Sequence, residues 1–350
     1  MRRVKYLVEN ADGAYFRYRI KNVCEALERS EKWRGGYFCR DEQVDLGGID
    51  ILVVGRQTEK GIRLIRLIEK CRKNGIRVLF DLDDLVFDYR DLKMVFDSVR
   101  EKSVFYWIGY FWGIRRIAKR VDGFLTTNEF LAKKLKRSFK KPVKVIRNSL
   151  SEEQVNASLA CMKLEREKNK ERFTVGYFSG SPTHAKDFQV VEPGLIRFLE
   201  KHEDATLKVV GYMRFSKEAE KLVEAGKIWF LPFTDFRKLQ RLMAEVDVNI
   251  APLILNDFTN CKSELKFFEA AAVETTTIAS PSYTFKKVIK DGENGFLAQQ
   301  GEWYKKLEYL YEHPEENRKI ALAAKKYALE NYYGKKFLEE VEEAYEYFGE

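Results

Sequence analysis

Nowhere do the 350 residues approach the ~18 consecutive apolar residues of a membrane span. Met1-Arg2-Arg3 leads into a short strand-like run, not the apolar core of a signal peptide. The five cysteines (Cys24, Cys39, Cys71, Cys161, Cys261) are odd in number and scattered, with no CxxC pair. That argues against a zinc knuckle or a disulfide framework and makes a reducing cytoplasm the expected compartment. GxGxxG, GxxxxGK[ST] and HExxH are all absent, which speaks against a nicotinamide enzyme, a P-loop NTPase and a zincin protease. Histidine occurs three times and never in the first 150 residues.

What is present is charge, unevenly placed. The formal net charge is +9, but residues 1–150 hold 34 Lys+Arg against 20 Asp+Glu, a net of +14. The remaining residues carry −5, and 101–150 alone carries +10. A basic first half faces something anionic: a membrane surface, nucleic acid or an anionic ligand.

Length and apolar content suggest two domains, each with its own core. Short apolar runs at 4–8, 51–54, 76–82, 122–127 and 144–146 alternate with helical patterns. This is the signature of a parallel sheet covered on both faces. A charged stretch within 151–172 interrupts the pattern as a linker or connecting helix. The alternation restarts at 173–178 and continues at 207–210, 228–231, 248–250, 277–279 and 295–297. We expect an α/β protein with Rossmann-like domains over 1–155 and 172–331, and a C-terminal helix, 332–350, packing back on the first. Two such domains would place a ligand at the carboxyl ends of their strands, in a cleft between them.

The most informative stretch is Asn260-Cys261-Lys262-Ser263-Glu264-Leu265-Lys266-Phe267-Phe268-Glu269-Ala270-Ala271-Ala272. Ser263 reads as an N-cap and Leu265, Phe268 and Ala272 as a buried stripe, with Lys262, Lys266 and Glu269 on another face. Such a helix start attracts an anion, and Glu269 could accept hydrogen bonds from vicinal hydroxyls. A solvated face carrying charge pairs is the plainer alternative.

Ser263–Ala272, with Thr277-Ile278-Ala279-Ser280-Pro281 and Asp291-Gly292-Glu293-Asn294-Gly295-Phe296-Leu297 after it, resembles the donor domain of GT-B glycosyltransferases of the retaining, family-4 type. Residues 173–187, ending Ser179-Gly180-Ser181-Pro182-Thr183-His184-Ala185-Lys186-Asp187, resemble the loop that opens that domain. Asp81-Leu82-Asp83-Asp84-Leu85-Val86-Phe87 resembles the acidic motif of the polysaccharide-building branch. The resemblance implies a nucleotide-diphosphate sugar donor and no resident cofactor or metal. By position, Glu269 matches the glutamate that holds the ribose and Lys186 the basic residue near the diphosphate. Lys262 and Ser263 fall beside the diphosphate, and Phe233 in the base-contacting loop. Ser179, Gly180, His184, Glu264 and Leu265 complete the expected donor contacts in that half.

This chain departs from the family pattern twice. The family often has two glutamates separated by seven residues; counting back from Glu269, the first would stand at Cys261, so either Glu264 substitutes or the sugar is held differently. Many relatives carry a histidine where Asp83 or Asp84 stands here. These aspartates are the candidate catalytic residues. They could supply a base to an acceptor hydroxyl, contact the acceptor, bind a metal with phosphates, or merely cap a turn. Asp-Leu-Asp-Asp also admits a Mg-dependent phosphatase using Asp81 or Asp83. At the first turn, Gly13 permits close backbone approach and Arg17 could clamp a donor phosphate.

Residues 104–120 are aromatic and apolar first, then basic. Trp and Tyr beside Arg and Lys fit an interfacial helix on anionic lipid, which Lys133, Lys134, Lys136, Arg137, Lys140 and Lys141 could extend; a core helix with a basic end is the alternative. Each cation near such a surface adds roughly 1 kcal/mol. The expectation is a glycosyltransferase acting on a glycan or lipid-linked acceptor in surface polysaccharide biosynthesis, cytoplasmic and peripheral on the inner face of the plasma membrane, with no nucleic-acid partner. A non-catalytic basic nucleic-acid-binding protein is the alternative from another class, although no nucleic-acid module is recognisable.

Overall fold

The computed structural model describes residues 1–40, 44–58, 61–98, 102–166, 172–180 and 185–350. The chain forms two compact units. The first holds Met1–Ser149, Asn260–Ser263 and Tyr332–Glu350; the second holds Leu150–Thr259 and Glu264–Asn331. The first unit's leading stretch thus stops at Ser149, short of 155, because the helix Glu152–Arg166 packs with Phe236–Ala244 in the second.

In the first unit the strands are β1 (Arg2–Val8), β2 (Trp33–Arg34), β3 (Tyr37–Cys39), β4 (Ile51–Val54), β5 (Arg77–Asp81), β6 (Gly123–Thr126) and β7 (Val143–Val145). The sheet order is β2-β1-β4-β5-β6-β7, with β3 also on β1, and the pairings are parallel. Every residue of β4 and β6 is buried, which is why these strands read as unbroken apolar runs. From β1 the chain goes first to β2 and β3 on one side and then to β4 on the other, so its order reverses at the β1/β4 boundary. The C-terminal helix Gly334–Gly349 buries Phe337, Val341, Ala344, Tyr345 and Phe348 in this unit's core.

The second unit contains β8 (Phe173–Ser179), β9 (Ala205–Gly211), β10 (Ile228–Leu231), β11 (Val248–Ala251), β12 (Thr276–Ala279) and β13 (Phe296–Leu297). Its order is β10-β9-β8-β11-β12-β13, again with parallel pairings. Here the reversal falls between β8 and β11. Open α/β sheets bind ligands outside the carboxyl ends of the strands at such a reversal.

Gly211, which ends β9, has φ +107. A Cβ there would lie 1.9 Å from the carbonyl oxygen of Ser179, at the end of β8. Both the backbone conformation and the space demand glycine. Gly211→Ala should therefore destabilise the fold by at least about 2 kcal/mol. Urea unfolding of the variant beside wild type checks this, and equal midpoints would contradict it.

Candidate functional site

In the first unit the candidate side chains gather at the carboxyl ends of β1, β4 and β5. Asp12 caps the helix after β1, accepting from the Gly13 N–H at 2.6 Å. Gly13 is needed for its φ of +78, not for close approach, since a Cβ there would meet nothing within 4 Å. The helical stretch from Gly13 to Glu28 contains a π turn over Arg17–Lys21, a wide turn often found at functional sites.

Arg19 is the buried arginine of this turn. It clasps Asp81 at the end of β5 with two bonds, Nε to Oδ1 at 3.1 Å and Nη2 to Oδ2 at 2.6 Å. The Tyr15 hydroxyl donates to Asp81 Oδ1 at 3.0 Å and accepts the Arg56 N–H at 2.6 Å. Asp81 is wholly buried. With both oxygens committed it presents no nucleophile, which removes it from the phosphatase reading.

Asp83 and Asp84 follow β5, each about one-fifth exposed. Asp84 sits between two cations, Arg56 and Lys262, with Lys262 Nζ 2.5 Å from Oδ1. Burial opposes its charge, but Lys262 and Arg56 overcome that and hold its carboxyl below the usual range. Asp83 Oδ1 lies 3.2 Å from Arg56 Nη1 and makes no hydrogen bond among the described residues. Burial pushes Asp83 up to about 6, with Asp84 and Asp81 adding to the rise against Arg56. The two candidates are therefore unlike: one is a locked counter-charge, the other a carboxylate beside Arg56 whose proton burial holds more tightly than usual.

Lys262 and Ser263 lie outside the helix they were expected to open. That helix is Leu265–Ala272, with Glu264 at the N-cap making no capping bond. Ser263 Oγ instead accepts from Asn148 Nδ2 at 2.9 Å, and the segment Asn260–Ser263 packs with the first unit. Cys261 is buried there, its carbonyl taking a bond from Asn128 Nδ2 at 2.8 Å.

The helix Leu265–Ala272 has no solvated charged face. Phe267, Phe268, Glu269, Ala270, Ala271 and Ala272 are all buried, while Leu265, expected in the buried stripe, is half-exposed. A helix apolar nearly all round is enclosed by its neighbours. Glu269 is only 6% exposed, and Gln154 Nε2 of the helix Glu152–Arg166 donates to its Oε1 at 3.3 Å. Glu264 is also buried.

The remaining donor candidates ring the carboxyl ends of the same sheet. Ser179 ends β8 in a buried position, and Gly180 beyond it is exposed. Lys186 is half-buried in the short helix Ala185–Phe188. Its neighbour Asp187 accepts the Ile254 N–H at 2.9 Å. Phe233 is 61% exposed, its ring 5.9 Å from that of Tyr212. His184 lies outside the described residues. Arg17 is half-buried, its guanidinium 5.9 Å from the Tyr18 ring.

Sequence reasoning missed Arg56, Tyr15 and Gln154. Arg56 follows the Gly55 turn after β4, and that position at the sheet reversal was the available signal.

Residues 173–313 match the model of the family described as Glycosyl transferases group 1. A curated protein of Bacillus subtilis (strain 168), putative glycosyltransferase EpsD, is 32% identical over 115 residues, or 32% of this chain and 28% of that protein. The match thus spans little more than a quarter of that relative's length. Among solved structures, Anabaena HepE in complex with UDP-glucose superposes with TM-score 0.65 at 15% identity, covering 99% of each chain. WaaG, a glycosyltransferase involved in lipopolysaccharide biosynthesis, gives 0.61 at 12% identity, again over 99% of each. The fold is accordingly that of the GT-B glycosyltransferases.

The raised pKa of Asp83 has a consequence for stability. The folded state holds its proton more tightly than the unfolded chain, so this contribution favours folding at low pH and is lost as pH rises through about 6. Asp83→Asn should therefore stabilise the protein by roughly 1–3 kcal/mol at pH 8 and leave it unchanged at pH 4. Urea midpoints at the two pH values decide it, and a loss at pH 8 would contradict the assignment.

Proposed function

We propose that this chain is a glycosyltransferase that moves a sugar from a nucleotide-diphosphate sugar to a glycan or lipid-linked acceptor in surface polysaccharide biosynthesis, with retention at the anomeric carbon. The observation that carries this reading is Glu269: a buried carboxylate held by Gln154, on an enclosed helix inside the matched family segment. Such a carboxylate, already oriented and desolvated, suits two vicinal ribose hydroxyls. HepE's structure with UDP-glucose supports a nucleotide-sugar donor, and WaaG's part in lipopolysaccharide biosynthesis supports a surface glycan.

In this reading the second unit binds the donor. Glu269 takes the ribose, Phe233 with Tyr212 the base, and Lys186 the diphosphate, while Ser179, Gly180, His184, Glu264 and Leu265 border it. The first unit serves the acceptor. Asp83, whose side chain is about one-fifth exposed, accepts a hydrogen bond from the acceptor hydroxyl, and Asp84 keeps Arg56 and Lys262 in place. Gly13 and Arg17 line the approach. No cofactor takes part, because backbone N–H groups and lysine charge offset the leaving diphosphate.

The same reading places the protein peripherally on the inner face of the plasma membrane. No helix among the described residues is long and apolar enough to cross a membrane. The helix Val104–Ala118 buries Trp107, Phe111, Ile114 and Ile117 and leaves a row outside. In that row Phe105 is 85% and Trp112 48% exposed, with Tyr106 and Ile108 beside them. Arg116 stacks over Trp112 at 4.6 Å. Lys133, Lys136, Arg137 and Lys140 are exposed nearby in sequence. Lys134 is paired with Asp91, and Lys141 is spent on the carbonyls of Ala118, Lys119 and Val121. An exposed aromatic row on a chain segment rich in exposed cations fits anionic lipid.

A panel of UDP-, GDP-, dTDP- and ADP-sugars, read by thermal shift and donor hydrolysis in EDTA, should single out one base. Glu269→Ala should weaken that donor roughly 10- to 100-fold. Silence across the panel would sink the reading. On co-sedimentation with phosphatidylglycerol-containing vesicles, a Phe105→Ser/Trp112→Ser variant should bind about ten-fold less than wild type. Equal binding by the two proteins would remove the membrane assignment.

A further inference from the structure

Lys266 is the second residue of the helix Leu265–Ala272, at the β8/β11 reversal. Its backbone is pinned: Asn249 of β11 donates from Nδ2 to the Lys266 carbonyl at 3.1 Å, and the same nitrogen lies 3.0 Å from Thr277 Oγ1 on β12. The side chain turns in toward β8, its ammonium 4.7 Å from the centre of the Tyr177 ring. That nitrogen is buried and makes no hydrogen bond with any of the described residues.

Two carboxylates bear on it without bonding to it, Asp187 and Glu269. Both have other commitments, to the Ile254 N–H and to Gln154. Burial pushes the Lys266 ammonium down to about 8 against their pull. Its position adds to the misfit, because the first turn of a helix carries the positive end of the dipole and disfavours a cation. A buried charge is ordinarily paired. Among the described residues this one meets only the face of a ring and the unbonded charge of two carboxylates, on a helix that starts beside the β8/β11 reversal.

We propose that Lys266 is a donor-binding residue whose missing counter-ion is the diphosphate of the nucleotide sugar. The anion would take the ammonium as a charge-assisted partner and relieve its isolation. As the anomeric carbon passes from the diphosphate oxygen to the acceptor oxygen, the electron pair of the broken bond stays on the leaving oxygen, which takes up the acceptor's proton, and Lys266 offsets the charge that develops there. This assignment rests on the glycosyltransferase reading and adds a second cation to the diphosphate contact there given to Lys186.

Calorimetric titration of wild type, Lys266→Met and Lys266→Arg with the nucleoside diphosphate of the responsive base, the matching nucleoside and inorganic pyrophosphate tests it. Lys266→Met should weaken the nucleoside diphosphate roughly 10- to 100-fold and leave the nucleoside unchanged, with Lys266→Arg between. Its thermal midpoint without ligand should equal or exceed that of wild type, because an unpaired buried charge has been removed. Unchanged diphosphate binding in Lys266→Met would overturn the proposal. So would a parallel loss of nucleoside binding with a lowered midpoint, the mark of a structural lysine. Loss of pyrophosphate binding alone would assign the site to a free anion instead. If wild type binds nucleoside but no more tightly when the diphosphate is attached, the donor reading stands and this inference fails. If it binds neither, both fail.

Discussion

The carboxyl edge of the first unit depends on the buried pair of Arg19 and Asp81. Neither side chain is more than 1% exposed. Two charges so placed hold together only if the geometry returns what desolvation takes. Here it does. The guanidinium meets the carboxylate with two bonds, and its third nitrogen turns to the Ile146 carbonyl and to Asn148. The pair thereby ties the helix after β1, the end of β5 and the segment after β7. Removing one partner would strand the other, at a typical cost of about 3–5 kcal/mol.

The pair also sets what lies above it. Tyr15 bridges Asp81 to the backbone of Arg56, and Arg56 then reaches both Asp83 and Asp84. One cation serves two carboxylates while Lys262 assists only Asp84. That asymmetry separates their ionisation. Like charges in a partly buried site do not share stabilisation evenly, and the less favoured member drifts upward. The second unit solves the opposite problem. Its enclosed helix buries an acid and a base in one turn, Lys266 and Glu269, without bonding them to each other. Gln154 orients the acid, and the base is left to Tyr177.

Much of the fold was legible in sequence because parallel strands buried on both faces leave short apolar runs that charged helices interrupt. The strands β1, β4, β5, β6 and β7, and β8 through β13, lie where those runs were read. The two- and three-residue strands β2 and β3 were not read, since so few residues carry no periodicity. The site was legible by residue type and less so by role. Ser263 looked like a cap because its hydroxyl precedes an apolar stretch, yet its partner is Asn148, far away in sequence. Arg17 and Arg19 look alike on paper. The π turn between Phe16 and Asn22 includes both, and Arg19 is the one drawn into the core. A solvated face for Glu269 and Lys266 stayed open as the plainer alternative because helix periodicity says nothing about what packs around the helix.

The sequence by itself determined the two parallel α/β units, the division of charge between them and the residue types available at the strand ends, because these follow from local periodicity and composition. Tertiary structure alone decided which charges would be satisfied. Desolvation and pairing depend on neighbours tens or hundreds of residues away. Lys262 pairs with Asp84, while Asp83 Oδ1 and the buried ammonium of Lys266 make no hydrogen bond among the described residues.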